Sequence, residues 1–216
     1  MSNERRKYTK RRRAESEQET RQRITEAAVA LHGSIGPART TISAIADQAG
    51  VQRATVYRHF ADEESLFAAC SAHYTGMNPP PDLTAWSEEP DPGTRLRRAL
   101  TEMYAWYDRT EPMLQNVLRD EEMVPAMAAP IARRRAYLGM VVDAVLAGRR
   151  ERGHARRRVK AALTHALAFP TWQSLVRHNG LEDAEAVSLM AAMVEAAGSS
   201  SRAGNRRRPG RTPVAG

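Results

Sequence analysis

The chain of 216 residues is short of several things. It has one cysteine, Cys70, so no internal disulfide framework exists; a lone thiol fits a reducing compartment, and a cytoplasmic location is the expectation. No apolar run approaches the roughly 18 residues needed to cross a bilayer, so no membrane partner is expected. The N-terminal stretch is charged with no apolar segment behind it, unlike a secretory leader. Period-two alternation of the kind a half-buried strand shows is missing, and so is any internal repeat. There is no HExxH, no cysteine pair, and no Gly-rich loop following a strand. An all-α enzyme would have to rely on Glu121, Glu122, His154, His165 and His178, none at metal-ligand spacing. The expectation is a protein without catalytic residues, cofactor or metal.

What is plentiful is basic charge, but at the ends. The formal net charge is +8. Residues 1–13 hold seven Lys/Arg against one Glu, and residues 198–216 hold five Arg and no acid, which leaves the body between them net acidic by three. The basic balance therefore describes two tails, and a basic tail is by itself a weak pointer to nucleic acid. Composition predicts a disordered arm over 1–19 and a disordered tail over 198–216, both poor in apolar residues. "TGMNPPPDLTAWSEEPDPGT", residues 75–94, marks a break between an N-terminal unit, 20–75, and a larger one, 76–197.

Helical periodicity runs through both units. Ile24, Ala27, Ala28 and Leu31 follow i, i+3, i+4, i+7 and predict a first helix ending near "GSIGP". Thr41 suits the N-cap of a second helix carrying Ile42, Ile45, Ala46 and Ala49. Gly50 supplies a left-handed turn, a third helix follows Val51, and Asp62 caps a fourth with Glu63 and Glu64 at its positive end. The second unit predicts five longer helices, near 92–109, 112–122, 125–149, 155–178 and 182–197. The fold class is all-α, with about nine helices.

"GVQRATVYRHF", residues 50–60, crowds cations and a ring into one short helix. Two helices joined by a tight Gly-containing turn form a helix-turn-helix, whose second helix enters the major groove of DNA. Val56 and Phe60, four apart, would anchor that helix to the core, leaving Gln52, Arg53, Ala54, Tyr57 and Arg58 outward. Gln and Arg can pair with adenine and guanine edges, and Ala54 is small enough to let the helix sit deep. Thr41, Thr55, Tyr57 and His59 can donate to phosphate oxygens and set register.

In order and spacing, "TTISAIADQAGVQRATVYRHFADEESL" resembles the DNA-binding domain of the TetR (tetracycline-repressor-like) family of transcriptional regulators. The likeness covers about residues 20–75. It implies a homodimer, a palindromic double-stranded operator, and a ligand cavity in a helical C-terminal domain that also dimerises. Carried over by position, Ser43, Arg53, Ala54 and Tyr57 lie nearest the bases, and Thr41, Thr55 and His59 lie on the backbone. The family usually has a Lys where this chain has Glu63, so the resemblance does not carry that phosphate contact over. The arm from Arg5 to Arg13 either compensates, along the backbone or in the minor groove, or is a solvated end.

The last two helices are apolar on more than one side. Val187, Met190, Ala191 and Val194 line one face of 182–197, and Leu189, Met193 and Ala196 nearly the opposite one. In 155–178, Val159, Leu163 and Leu167 oppose His165, Phe169, Trp172 and Val176. A helix apolar nearly all round must be covered on both sides, which predicts a homodimer through these two helices. Met103, Tyr104, Trp106, Tyr107, Met113, His165, Phe169 and Trp172 are the candidates to line a cavity for a small hydrophobic inducer, although such residues at helical spacing also make plain core. Pro170 frees the Ala166 carbonyl and predicts a bend. The functional expectation is a DNA-binding transcriptional regulator, a ligand-responsive dimeric repressor; a constitutive or activating regulator without an inducer fits the same residues.

Overall fold

A computed structural model describes residues 2–199, with side chains described from Lys7 onward. Ten α-helices and no strand occur among the described residues. The chain divides into two compact units. One gathers residues up to Pro81 together with Trp106–Leu138; the other gathers Asp82–Ala105 and the residues from Gly139 onward.

The first unit opens with α1 (Ser2–Ser34). Ile24, Ala27 and Ala28 on its inner stripe are buried, as their spacing predicts, and pack with Ile45, Ala46, Val56, Phe60, Leu66 and Cys70. The cysteine is enclosed, and burial pushes its thiol up to about 12, so it is a packing residue with no reactive thiolate. The helix reaches much further back than composition predicts. Where a disordered arm is expected, the backbone is helical from Ser2, although residues 7–19 are all exposed. Composition measures the lack of anything to bury; it does not weigh the helix-favouring Arg, Lys, Glu and Gln that dominate here. Arg11–Glu15 and Arg13–Glu17 pair along the helix at 2.8 and 3.2 Å.

Three short helices follow, each begun or ended by a local device. Thr41 Oγ1 accepts the Ala44 N–H at 3.1 Å and starts α2 (Ile42–Ala49). Gly50, at φ 64° and ψ 41°, ends it in the left-handed region that disfavours other residues. The chain then enters α3 (Arg53–His59). Asp62 Oδ1 accepts the Ser65 N–H at 2.7 Å and starts α4 (Glu63–Met77), with Glu63 and Glu64 in its first turn.

After the short α5 (Thr84–Ser87), the segments expected as separate helices near 92–109 and 112–122 form one helix, α6 (Pro92–Asp120), with Pro112 inside it. An interior proline costs about 3 kcal/mol. The continuing turns bury Met113 and Leu114 and place Asn116 and Asp120 in hydrogen bonds to His32, Gly33 and Ala38, which together offset the lost backbone bond. A turn at Pro125–Met127 leads into α7 (Ala128–Leu146).

In the second unit Leu96, Leu100, Met103 and Tyr104 of α6 are fully buried. So is Trp86, whose Nε1 donates to Glu102 at 2.7 Å. The helix expected over 155–178 is broken. α8 (Gly153–Ala166) stops, α9 (Phe169–Trp172) restarts with Pro170 in its first turn, and a π-helical stretch, Gln173–His178, continues it. Pro170 thus starts a helix instead of bending one, and the Ala166 carbonyl accepts the Tyr104 hydroxyl at 2.8 Å. α10 (Asp183–Ser199) packs on α8, and buried Arg149 ties their ends together through Glu195 and Glu151 at 3.0 and 3.2 Å. The tail expected to be disordered lies, from residue 200 on, outside the described residues.

Candidate nucleic-acid interface

Why α3 can present its polar face follows from what holds its other face. Val56 and Phe60 are 1% and 2% exposed, one helical turn apart. That fixes the rotation of the helix and leaves Gln52, Arg53, Ala54, Tyr57 and Arg58 in solvent, the Tyr57 ring more than half exposed. Thr41 is exposed at the start of α2, while Ser43 and Thr55 are half-buried. A ring and two cations, groups that can donate to phosphates and base edges, are thus held outward by a buried valine and phenylalanine.

His59 is different. Its side chain is half-buried, and Nε2 is enclosed without a hydrogen-bond partner among the described residues. Burial, then the neighbouring Arg58 and Arg21 charges, lower its pKa, so the ring is held neutral. The expected role on a phosphate would fall to a neutral imidazole with one nitrogen shut in.

Two anchors of this surface carry no local sequence signal. Arg21 of α1 lays its guanidinium 4.0 Å from the centre of the Phe60 ring and donates from Nη1 to the His59 carbonyl. It therefore caps the C-terminus of α3 and covers its buried anchor at once. The end of α6 does the same for α1. Asn116 Nδ2 donates to the His32 and Gly33 carbonyls at 3.1 and 2.9 Å, and Arg119 Nη2 donates to the Ile35 carbonyl at 3.2 Å. Asp120, 1% exposed, accepts the Ala38 N–H at 3.0 Å. The Arg119 hydrogen bond holds its carboxyl below the usual range. Gly36, at φ 94°, threads between these groups; a Cβ there would land on the Arg119 guanidinium and the Asp120 carboxylate.

Thr41, Ser43, Arg53 and Tyr57 meet around one groove of about 380 Å³, with Glu63 at its edge. The eight inducer candidates behave otherwise. Met103, Tyr104, His165, Phe169 and Trp172 belong to the second unit, and Trp106, Tyr107 and Met113 to the first. All but His165 are buried core side chains, and none of the eight lines this groove or a second cavity of about 380 Å³ at the α7–α8 loop. His165, expected to be enclosed, is exposed, with Nδ1 3.5 Å from the Thr171 hydroxyl. It lies in the last turn of α8, while Phe169 and Trp172 of α9 are buried.

A helix-turn-helix with an outward Arg/Tyr face, followed by a wholly helical region, defines a DNA-binding transcriptional regulator. Residues 24–70 match the family model of bacterial regulatory proteins, tetR family. Solved structures share the fold. A TetR-like transcriptional regulator from Rhodococcus sp. RHA1 aligns at a TM-score of 0.59 and 19% identity, over 82% of this chain and 93% of its own. The transcriptional regulator FadR from Bacillus subtilis, in complex with stearoyl-CoA, aligns at 0.55 and 18%, over 82% and 97%. A TetR transcription regulator from Haloarcula marismortui aligns at 0.54 and 16%, over 85% and 98%. No curated protein matches the chain. Residues 24–70 thus carry the DNA-binding region described by the tetR family model, and the helical fold around it is shared with TetR-type regulators.

Proposed function

We propose that the chain is a dimeric repressor that sets two copies of α3 into successive major grooves of a palindromic operator and is released by a small-molecule effector. The observation that carries the reading is the fixed outward face of α3. Arg53 and Tyr57 then read base edges, with Ala54 allowing close approach, and Thr41, Thr55 and exposed Lys7, Lys10 and Arg11–Arg13 of α1 act on phosphates. On the helical arm Lys7, Lys10 and Arg11, spaced i, i+3, i+4, share one side, and these cations compensate for the acidic Glu63 at the start of α4.

Dimerisation is supported by α10. Its inner face, Val187, Met190, Ala191 and Val194, is buried, while Leu189 on the opposite side is half exposed and Met193 and Ala196 accompany it. Two subunits joined there would address half-sites about 34 Å apart or a multiple of that. The effector is supported by the occurrence of this fold in a regulator complexed with stearoyl-CoA. It acts only if it prefers the spacing of α3 that does not fit the operator. The experiment is to replace Arg53 or Tyr57 by Ala and titrate both operator and random duplex. A selective loss on the operator of about 1–3 kcal/mol is expected; equal loss on both duplexes removes the base-reading assignment.

A further inference from the structure

We propose that the groove of about 380 Å³ beside α3 is itself a binding site, for a small, largely apolar molecule carrying one hydroxyl or amide group, and that its occupant competes with DNA. The second half rests on α3 being the DNA-facing helix; the first half does not.

The groove lies within the first unit, between the helix-turn-helix and the segment after α6. Of its lining residues, Pro37, Ile45 and Leu66 are buried and apolar, half-buried Phe67 lies against His32, and His32 is the one buried polar side chain. His32 is 5% exposed and stacks flat on Phe67, with ring centres 4.8 Å apart and planes 5° from parallel. Neither of its ring nitrogens has a hydrogen-bond partner among the described residues, and neither is among the fully enclosed unpaired atoms, so the ring edge stays accessible from the groove that His32 lines. Burial lowers its pKa to about 4, so at neutral pH the ring offers one N–H donor and one bare acceptor. A hydroxyl or amide supplies both complements. Val124 and Pro125 add further apolar lining, and the volume falls in the range of small-molecule pockets.

The mouth decides the consequence. Thr41, Ser43, Arg53 and Tyr57 border the same groove, so an occupant and a DNA duplex would draw on the same side chains. This seat is separate from the eight residues expected to line an inducer cavity, none of which borders it.

The test uses the full chain and phenol, which has the ring and the hydroxyl, with toluene as the control that lacks the hydroxyl. Carbon–proton NMR should show saturable shifts at His32 and Phe67, with phenol about 2- to 10-fold tighter than toluene, the worth of one hydrogen bond. His32→Phe, which keeps the stacking, should remove that preference, and Val124→Trp, which fills the groove from its half-buried rim, should abolish binding. Absence of saturable shifts at His32 and Phe67 up to the concentration that unfolds the protein overturns the site; equal affinity for phenol and toluene overturns the role of His32. In a second arm, phenol should weaken the affinity for a labelled duplex in the parent chain and leave it unchanged in Val124→Trp. Undiminished DNA affinity with the groove occupied overturns the competition. A chain that binds no duplex at all overturns the proposed function instead, and the NMR titration still decides the site.

Discussion

His32 makes the pH dependence of stability open to a direct prediction. Its pKa falls from 6.5 to about 4 because burial penalises the charged ring. At about 1.4 kcal/mol for each tenfold change in proton affinity, the whole shift is worth about 3 kcal/mol. The sign follows from which state takes the proton. Above pH 6.5 both folded and unfolded chains hold a neutral ring, and no penalty exists. Between 6.5 and 4 the unfolded chain binds a proton that the folded chain refuses, so stability falls as the pH falls. By about pH 5 the loss from this one group is about 2 kcal/mol, and below about pH 4 it is nearly complete. Other groups titrate in the same range, so the measurement is a difference. Urea unfolding of the parent chain and of His32→Phe is followed at about pH 7.5 and about pH 5. Phe keeps the stack on Phe67 and cannot titrate, and any packing offset cancels between the two pH values. The parent should lose about 2 kcal/mol more than the variant over that interval. Parallel losses would show that the folded protein accommodates a charged His32 and would refute the burial reasoning.

The anchors around α3 and α6, and the outer face of α10, give three more expected outcomes. Arg21→Ala removes both the cap on the His59 carbonyl and the cation over Phe60, and should cost about 1–2 kcal/mol in urea unfolding, with faster amide exchange confined to α3. Asn116→Ala strips two carbonyls at the end of α1 of their donor and should cost about 1–3 kcal/mol, whereas Gln115→Ala, on the exposed side of α6, should be near neutral by the same assay. Sedimentation at micromolar concentration should give about twice the 24.0 kDa chain mass, and Leu189→Glu should shift it toward the monomer; an unchanged mass would place the subunit contact elsewhere.

Much of the DNA-facing unit was legible because its signals are local. Thr41, Gly50 and Asp62 punctuate their helices through atoms three or four residues away, and the spacing of Val56 and Phe60 states which side of α3 is buried. The same local reading misjudged α6, because the burial of Leu114 and the hydrogen bonds of Asn116 and Asp120 to distant backbone, which carry the helix past Pro112, are tertiary effects. It also misjudged His165, whose exposure depends on where α8 stops.

By itself, then, the order of residues determined an all-helical chain, the ends of the short helices, and the outward set Gln52, Arg53, Ala54, Tyr57 and Arg58. Only the tertiary structure decided that Arg21 would clamp a carbonyl 38 residues away, that Asn116 would cap a helix 84 residues earlier, and that a largely buried His32 would stack on Phe67 and line a groove. Helix caps and amphipathic spacing act within one or two turns and are written in neighbouring residues. Contacts between distant segments depend on how whole helices pack, and no short stretch of sequence encodes that.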